Sequence, residues 1–163
     1  MRIARYALGD RVGYGAVEGD RVYEIQGDIL GEFRATDVSH PLAEVKLLMP
    51  CRPTQVLAVG VNYRAHIGDM APPAIPQPWQ KGINSLVGPE DDVMYPPDAE
   101  DLQYEGELVI VIKRKAKNIS KEEAHNYILG YTCGNDVSER TWQRADRHLW
   151  RAKGTDTFGP VGP

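Results

Sequence analysis

A mixed α+β chain, mostly β and built in two parts, is the fold class this sequence predicts. Three observations carry that reading. Short β-type runs separated by Gly-Asp turns fill the first part, Pro50-Cys51-Arg52-Pro53 interrupts the pattern, and the later apolar runs are strand-like with only a few helix-start signals between them.

Residues 2–7, 13–17 and 21–25 alternate in β fashion, with Gly9-Asp10 and Glu18-Gly19-Asp20 as turn chemistry between paired strands. A short amphipathic piece covers residues 42–48. The proline break then divides a small N-terminal domain, residues 1–52, from a second domain, residues 53–163. Residues 55–61 are apolar and β-branched and read as a buried strand leading into a short helix over residues 62–70. Four prolines in residues 71–78 remove donors and fix φ, which leaves a loop, a candidate lid beside His66. Strands follow at residues 92–95 and 103–113. Ser120-Lys121-Glu122-Glu123 has the form of a capping box and predicts a helix that Gly130 ends. Residues 131–134 read as a short strand, and a last helix runs from Val137 to about Trp150.

The charge balance excludes several partners. A net charge of −4 and a pI near 5.6 leave no basic stripe for nucleic acid or an anionic membrane. The longest apolar run, Leu108 to Ile112, is five residues, far short of a bilayer span. Cys51 and Cys133 form no CxxC unit, so reduced thiols in a cytoplasmic protein are the expectation, without cysteine-bound zinc.

The informative segment is Tyr104-Glu105-Gly106-Glu107-Leu108. Alternation along a strand puts Glu105 and Glu107 on one side, about 7 Å apart. Apolar residues on both faces further along predict a strand covered on both sides, where ionised carboxylates are costly without a cation between them. Asp136, where a strand gives way to a helix, adds a third acid. It equally fits a helix N-cap, because Asp136-Val137-Ser138-Glu139 is itself a capping box. Three hard oxygen donors suit Mg²⁺, Mn²⁺ or Ca²⁺.

Four segments carry a family likeness. Val59-Gly60-Val61-Asn62-Tyr63-Arg64-Ala65-His66 resembles the VGxNYxxH segment of the fumarylacetoacetate hydrolase family, and Tyr104-Glu105-Gly106-Glu107-Leu108 its YExEL segment. Gly130-Tyr131-Thr132 through Asn135-Asp136-Val137-Ser138-Glu139-Arg140 is similar to its GYxxxNDxSxR segment. Trp150 through Lys153 to Asp156-Thr157-Phe158 is similar to its W-x-x-x-K-x-x-D-T-F run. The resemblance implies the first part of that family's β-roll catalytic domain behind a small leading domain. It makes Glu105, Glu107 and Asp136 the ligands of Mg²⁺ or Mn²⁺, with Ca²⁺ as a third option. His66, with Asp69 three residues on, and Lys153 become catalytic, while Tyr63, Arg140, Gln143 and Thr157 become substrate contacts.

The implied chemistry is hydrolysis of a C–C bond in an acylpyruvate or other 1,3-dioxo acid, with His66, oriented by Asp69, activating water. Isomerisation of a 2-hydroxyhepta-2,4-diene-1,7-dioate type of substrate, or decarboxylation of a 2-oxo diacid in aromatic catabolism, is the alternative. A non-catalytic or incomplete subunit is the alternative of another class. Family members continue past the position of Pro163, so the resemblance also implies a complementary C-terminal segment or chain, and a homodimer.

Overall fold

The structure, a computed structural model, describes all 163 residues. Strands β1 (Arg2–Leu8), β2 (Arg11–Glu18), β3 (Arg21–Gly27), β4 (Phe33–Pro41) and β5 (Lys46–Leu48) form one antiparallel sheet in the order β4-β3-β2-β1-β5. Leu8 pairs with Arg11 and Glu18 with Arg21, which leaves two-residue Gly-Asp turns. Gly9 and Gly19 sit at φ +57° there, the left-handed backbone that a first turn position of this kind requires. Gly15 serves packing instead. A Cβ on it would lie 2.3 Å from Val22 Cγ2 and 3.1 Å from the Tyr6 ring, two side chains of this sheet's buried core. Strand β4 is absent from the sequence reading: it is a polar edge strand ending in Pro41, without apolar alternation to reveal it. The amphipathic piece at 42–48 resolves into a 3-10 turn, Leu42–Glu44, and strand β5.

The remainder is assembled from two-stranded ladders. Strand β6 (Val56–Gly60) leads to a single helical turn, α1 (Arg64–Ile67), and then pairs with β7 (Gln77–Lys81). The next strands are β8 (Leu86–Val87), β9 (Leu102–Gln103), β10 (Gly106–Ile112) and β11 (Ile128–Asn135). The chain closes with β12 (Ser138–Glu139), helices α2 (Arg140–Gln143) and α3 (Trp150–Gly154), and β13 (Gly159–Pro160). β10 pairs with β11 and β9 with β12, both antiparallel, and β8 with β13 in parallel. An ion pair of 2.8 Å between Lys46 and Asp91 joins the first sheet to this part. No helix is long and apolar enough to cross a membrane.

Several expectations are corrected here. Residues 92–95 form no strand; two prolines follow them, and the Met94 N–H bonds to the Thr157 hydroxyl instead of a ladder. Residues 103–113 are divided at Tyr104-Glu105, because the Glu105 N–H bonds to the Asn135 side chain. Strands β6 and β10 are not covered on both sides: Leu57 and Val59, and Leu108, Ile110 and Ile112, face outward, Leu108 with 63% exposure.

The Ser120–Glu123 box does form, with reciprocal bonds of 3.1 and 3.2 Å, yet no α-helix follows it. A 3-10 turn, Ala124–Tyr127, gives way to β11, whose ladder with β10 overrides the local signal. The helix expected from Val137 to Trp150 is replaced by β12 and two short helices. Ser138 and Glu139 pair with β9, so helix can begin only at Arg140.

Candidate metal and substrate centre

The antiparallel register of β10 and β11 sets the site. Gly106 faces Asn135 and Glu107 faces Gly134, and the Asp136 N–H bonds to the Glu105 carbonyl at 2.9 Å. Carboxylate oxygens of Glu105, Glu107 and Asp136 consequently lie within 4.8 Å of one another. Asp136 is free to join them because it is not a helix cap. Glu139 takes that role, accepting the Trp142 N–H at 2.5 Å.

Two buried lysines and an arginine hold these acids. Lys153 on α3 donates to Glu105 Oε1 at 2.8 Å and to Asp136 Oδ2 at 2.6 Å. Lys81, the last residue of β7, donates to Asp136 Oδ1 at 2.8 Å and to the Lys153 carbonyl. Both ammonium groups also lie 5.7 Å from the Trp79 ring centroid, within cation–π reach. Arg140 Nη2 is 2.8 Å from Glu105 Oε1, which also accepts the Ser138 hydroxyl at 2.7 Å.

The acids differ in environment. Burial pushes Glu105 upward, but hydrogen bonds from Lys153 and Ser138 and the charges of Lys153 and Arg140 hold its carboxyl below the ordinary value. Glu107 has no cation within ion-pair distance. Burial raises its pKa, a Tyr63 hydrogen bond opposes this, and the charges of Asp136 and Glu105 add to the rise. Burial likewise depresses Lys81, against the pull of Asp136. A divalent cation fits this donor set. The oxygens are hard and gathered, and the one acid lacking a positive neighbour is the one whose ionised form is disfavoured.

Other expected residues fall into place unevenly. Tyr63 accepts the Leu108 N–H at 3.1 Å and so lies at the start of β10. Arg140 and Gln143 are bonded to each other, Nη1 to Oε1 at 2.8 Å. Arg140 does not share a helical face with Asp136, since α2 begins at Arg140 itself; its guanidinium reaches Glu105 across β9, bonded to Gln103 at 3.0 Å. Thr157, at φ +69°, directs its hydroxyl to the Met94 N–H.

His66 and Asp69 share no hydrogen bond or ion pair, and both are exposed. Helix α1 stops at Ile67 and Gly68 turns the chain at φ +57°, so Asp69 leaves the face His66 occupies. The nearest ring to His66 is Tyr63, edge-on at 6.4 Å.

Sequence reasoning missed Lys81 and Glu139. The carboxylates demanded a cation, but a lone lysine closing a proline-rich stretch has no spacing that assigns it. Glu139 is fully buried and accepts the N–H groups of Glu100, Asp101 and Trp142 together with the Thr141 hydroxyl. Despite burial, those bonds hold its carboxyl down at about 2.

Comparison with known proteins gives this geometry a family context. The family model "Fumarylacetoacetate (FAA) hydrolase C-terminal" matches residues 55–163, and "Rv2993c-like, N-terminal" matches residues 1–50. Protein Rv2993c of Mycobacterium tuberculosis is 41% identical over 172 aligned residues, covering 100% of this chain and 65% of its own. The solved 5-carboxymethyl-2-hydroxymuconate delta-isomerase from Mycobacterium smegmatis superposes with a TM-score of 0.90 at 42% identity, over 100% of this chain and 65% of its own. Human mitochondrial oxaloacetate tautomerase FAHD2A is 39% identical over 128 residues, 76% of this chain and 41% of its own. The chain therefore spans about two thirds or less of the length of these relatives. It belongs to the fumarylacetoacetate hydrolase family.

Proposed function

We propose that this chain carries the acid-binding centre of a divalent-metal isomerase or tautomerase that relocates a proton on a small 2-oxo acid. The observation that carries the reading is the convergence of Glu105, Glu107 and Asp136 inside a ring of Lys81, Lys153 and Arg140. Relatives named as an isomerase and a tautomerase support this class over C–C hydrolysis.

The three carboxylates would hold Mg²⁺ or Mn²⁺, with Ca²⁺ as the remaining hard-ion candidate. When bound, the ion supplies Lewis acidity toward the 2-oxo carboxylate. Lys153 uses two of its three N–H groups on Glu105 and Asp136, so one remains for a substrate oxygen. As solvent water takes a proton from the carbon beside the ketone, negative charge spreads to the ketone oxygen, where that N–H stabilises it. Lys81 contributes by position, holding Asp136 and the Lys153 carbonyl together. The hydronium so formed returns a proton to the oxygen or to a carbon further along, and water is regenerated, not consumed.

The test is an ultraviolet assay of oxaloacetate tautomerisation by the full chain with Mg²⁺ or Mn²⁺, repeated with EDTA and with Glu107→Ala. Metal-dependent turnover lost in both controls is the expected result. Activity indifferent to EDTA, or accumulation of C–C cleavage products in its place, would sink the proposal.

The outward apolar faces of β6 and β10 belong to the same reading. A complementary polypeptide segment, of the kind the longer relatives carry, or a second chain in a homodimer would cover Leu57, Val59, Leu108, Ile110 and Ile112. Sedimentation velocity tests it: a monodisperse 18.2 kDa monomer at high concentration contradicts the idea.

A further inference from the structure

Beside the carboxylates lies an open depression of about 460 Å³, lined by Asp101, Gln103, Arg140, Gln143 and Arg144. No apolar side chain lines it. Its wall is one hydrogen-bonded chain: Gln103 Nε2 donates to Asp101 Oδ1 at 2.9 Å, Arg140 Nε to Gln103 Oε1 at 3.0 Å, and Arg140 Nη1 to Gln143 Oε1 at 2.8 Å. Arg140 closes that chain onto the acid cluster through Glu105. The depression and the cluster thus share one side chain, and a small acid held at the cluster would extend into the depression.

Within the wall every polar side chain is engaged except one. The Arg144 guanidinium takes part in no hydrogen bond, ion pair or ring contact. The Asp101 carboxylate is not its partner, being turned to Gln103, whose amide it orients toward Arg140. A pocket of this size suits a small metabolite. A lining without any apolar residue disfavours an apolar acyl tail, which would desolvate guanidinium and amide groups without replacing their bonds. An idle guanidinium suits a carboxylate, which it meets with two parallel N–H groups.

The geometry points to Arg144 as a specificity-determining residue that receives the distal carboxylate of a 2-oxo diacid. This inference rests on the reading of the acid cluster as the 2-oxo acid site and adds the chemistry of the substrate's far end. Because Arg144 touches neither the cluster nor its lysines, its role is in affinity and not in the chemical step.

Two acids with the same carbon count separate the outcomes: 2-oxoglutarate, with a distal carboxylate, and 2-oxopentanoate, without one. Calorimetric titration of the full chain with each in the presence of Mg²⁺ should show the diacid binding about tenfold more tightly. In Arg144→Gln that preference should fall to about one, with 2-oxopentanoate affinity unchanged, while Arg144→Lys keeps part of it. Equal affinity for the two acids in the wild type, or an undiminished preference in Arg144→Gln, overturns the assignment and leaves the cluster reading standing. Binding of neither acid overturns both. Where turnover is measured, KM for the diacid should rise in Arg144→Gln while kcat holds. A fall in kcat for both acids together would mark a merely structural role.

Discussion

Lys81 and Lys153 grip the same acid from opposite sides. Lys81 Nζ lies 2.8 Å from Asp136 Oδ1 and Lys153 Nζ 2.6 Å from Oδ2, with Lys81 also bonded to the Lys153 main chain. Each lysine is only 5% exposed. Strand β7 and helix α3, 72 residues apart at these positions, are thereby tied through one carboxylate and one carbonyl.

Removing one of these ammonium groups leaves a buried acid short of a partner. Lys81→Met should destabilise the fold by about 3 kcal/mol, because a broken buried pair costs more than the intact pair contributes. Urea denaturation reads this directly. A midpoint unchanged from wild type would mean that Asp136 finds another partner or water.

Glu107 should respond in the opposite sense without metal. Its folded carboxyl lies above the ordinary value, so proton binding favours the folded state, and at neutral pH the ionised group costs stability. Glu107→Gln should therefore raise Tm in EDTA, by an amount that shrinks as pH falls through the raised folded value toward 4.5. Mg²⁺ should raise the wild-type Tm, and the same variant should lose that increase. A lower Tm in EDTA, or an undiminished Mg²⁺ increase, argues against an ion at this acid.

Glu139 tests a different kind of burial. All four of its partners are donors, so the amide nitrogen of Glu139→Gln would face N–H or O–H groups, and glutamine should rescue little. The expected loss is about 2 kcal/mol at neutral pH. With the folded carboxyl at about 2 and the ordinary value at 4.5, this contribution is complete above 4.5 and disappears as pH falls toward 2. Wild type and variant should converge in acid. A gap that stays constant with pH would place the effect in packing.

Asp146 carries α3 at its start, accepting the N–H groups of Arg151 at 2.7 Å and Ala152 at 3.0 Å. Asp146→Ala should cost about 1 kcal/mol and, by loosening the turn that bears Lys153, lower kcat more than it raises KM. Recovery with Asp146→Asn would support the capping role; an unaffected kcat would confine Asp146 to stability.

What the sequence disclosed follows from range. Strands β1 to β3 were legible because their alternation and Gly-Asp turns are local; Glu105 and Glu107 stood out as a pair on one strand, while Asp136 read equally as a helix cap and joined them only through the family resemblance. Strand β4 was not, since a polar edge strand lacks the pattern that marks a half-buried one. Lys81 was not, since its meaning depends on a partner 55 residues away. His66 and Asp69, paired through the family resemblance, stand apart here because the chain makes one helical turn and Gly68 then redirects it. The capping box at Ser120 formed as written yet started no helix, because the ladder between β10 and β11 outweighs one local signal.

Three acids among three cations give the centre a formal charge balance of zero. A dication alone leaves a net positive charge there and a dianion alone a net negative one, whereas the two together restore neutrality. Ion and organic acid should consequently act as each other's allies, each sharpening the protein's grip on the other by one shared factor. Apparent Mg²⁺ affinity measured without the acid should then be weaker than that measured with it.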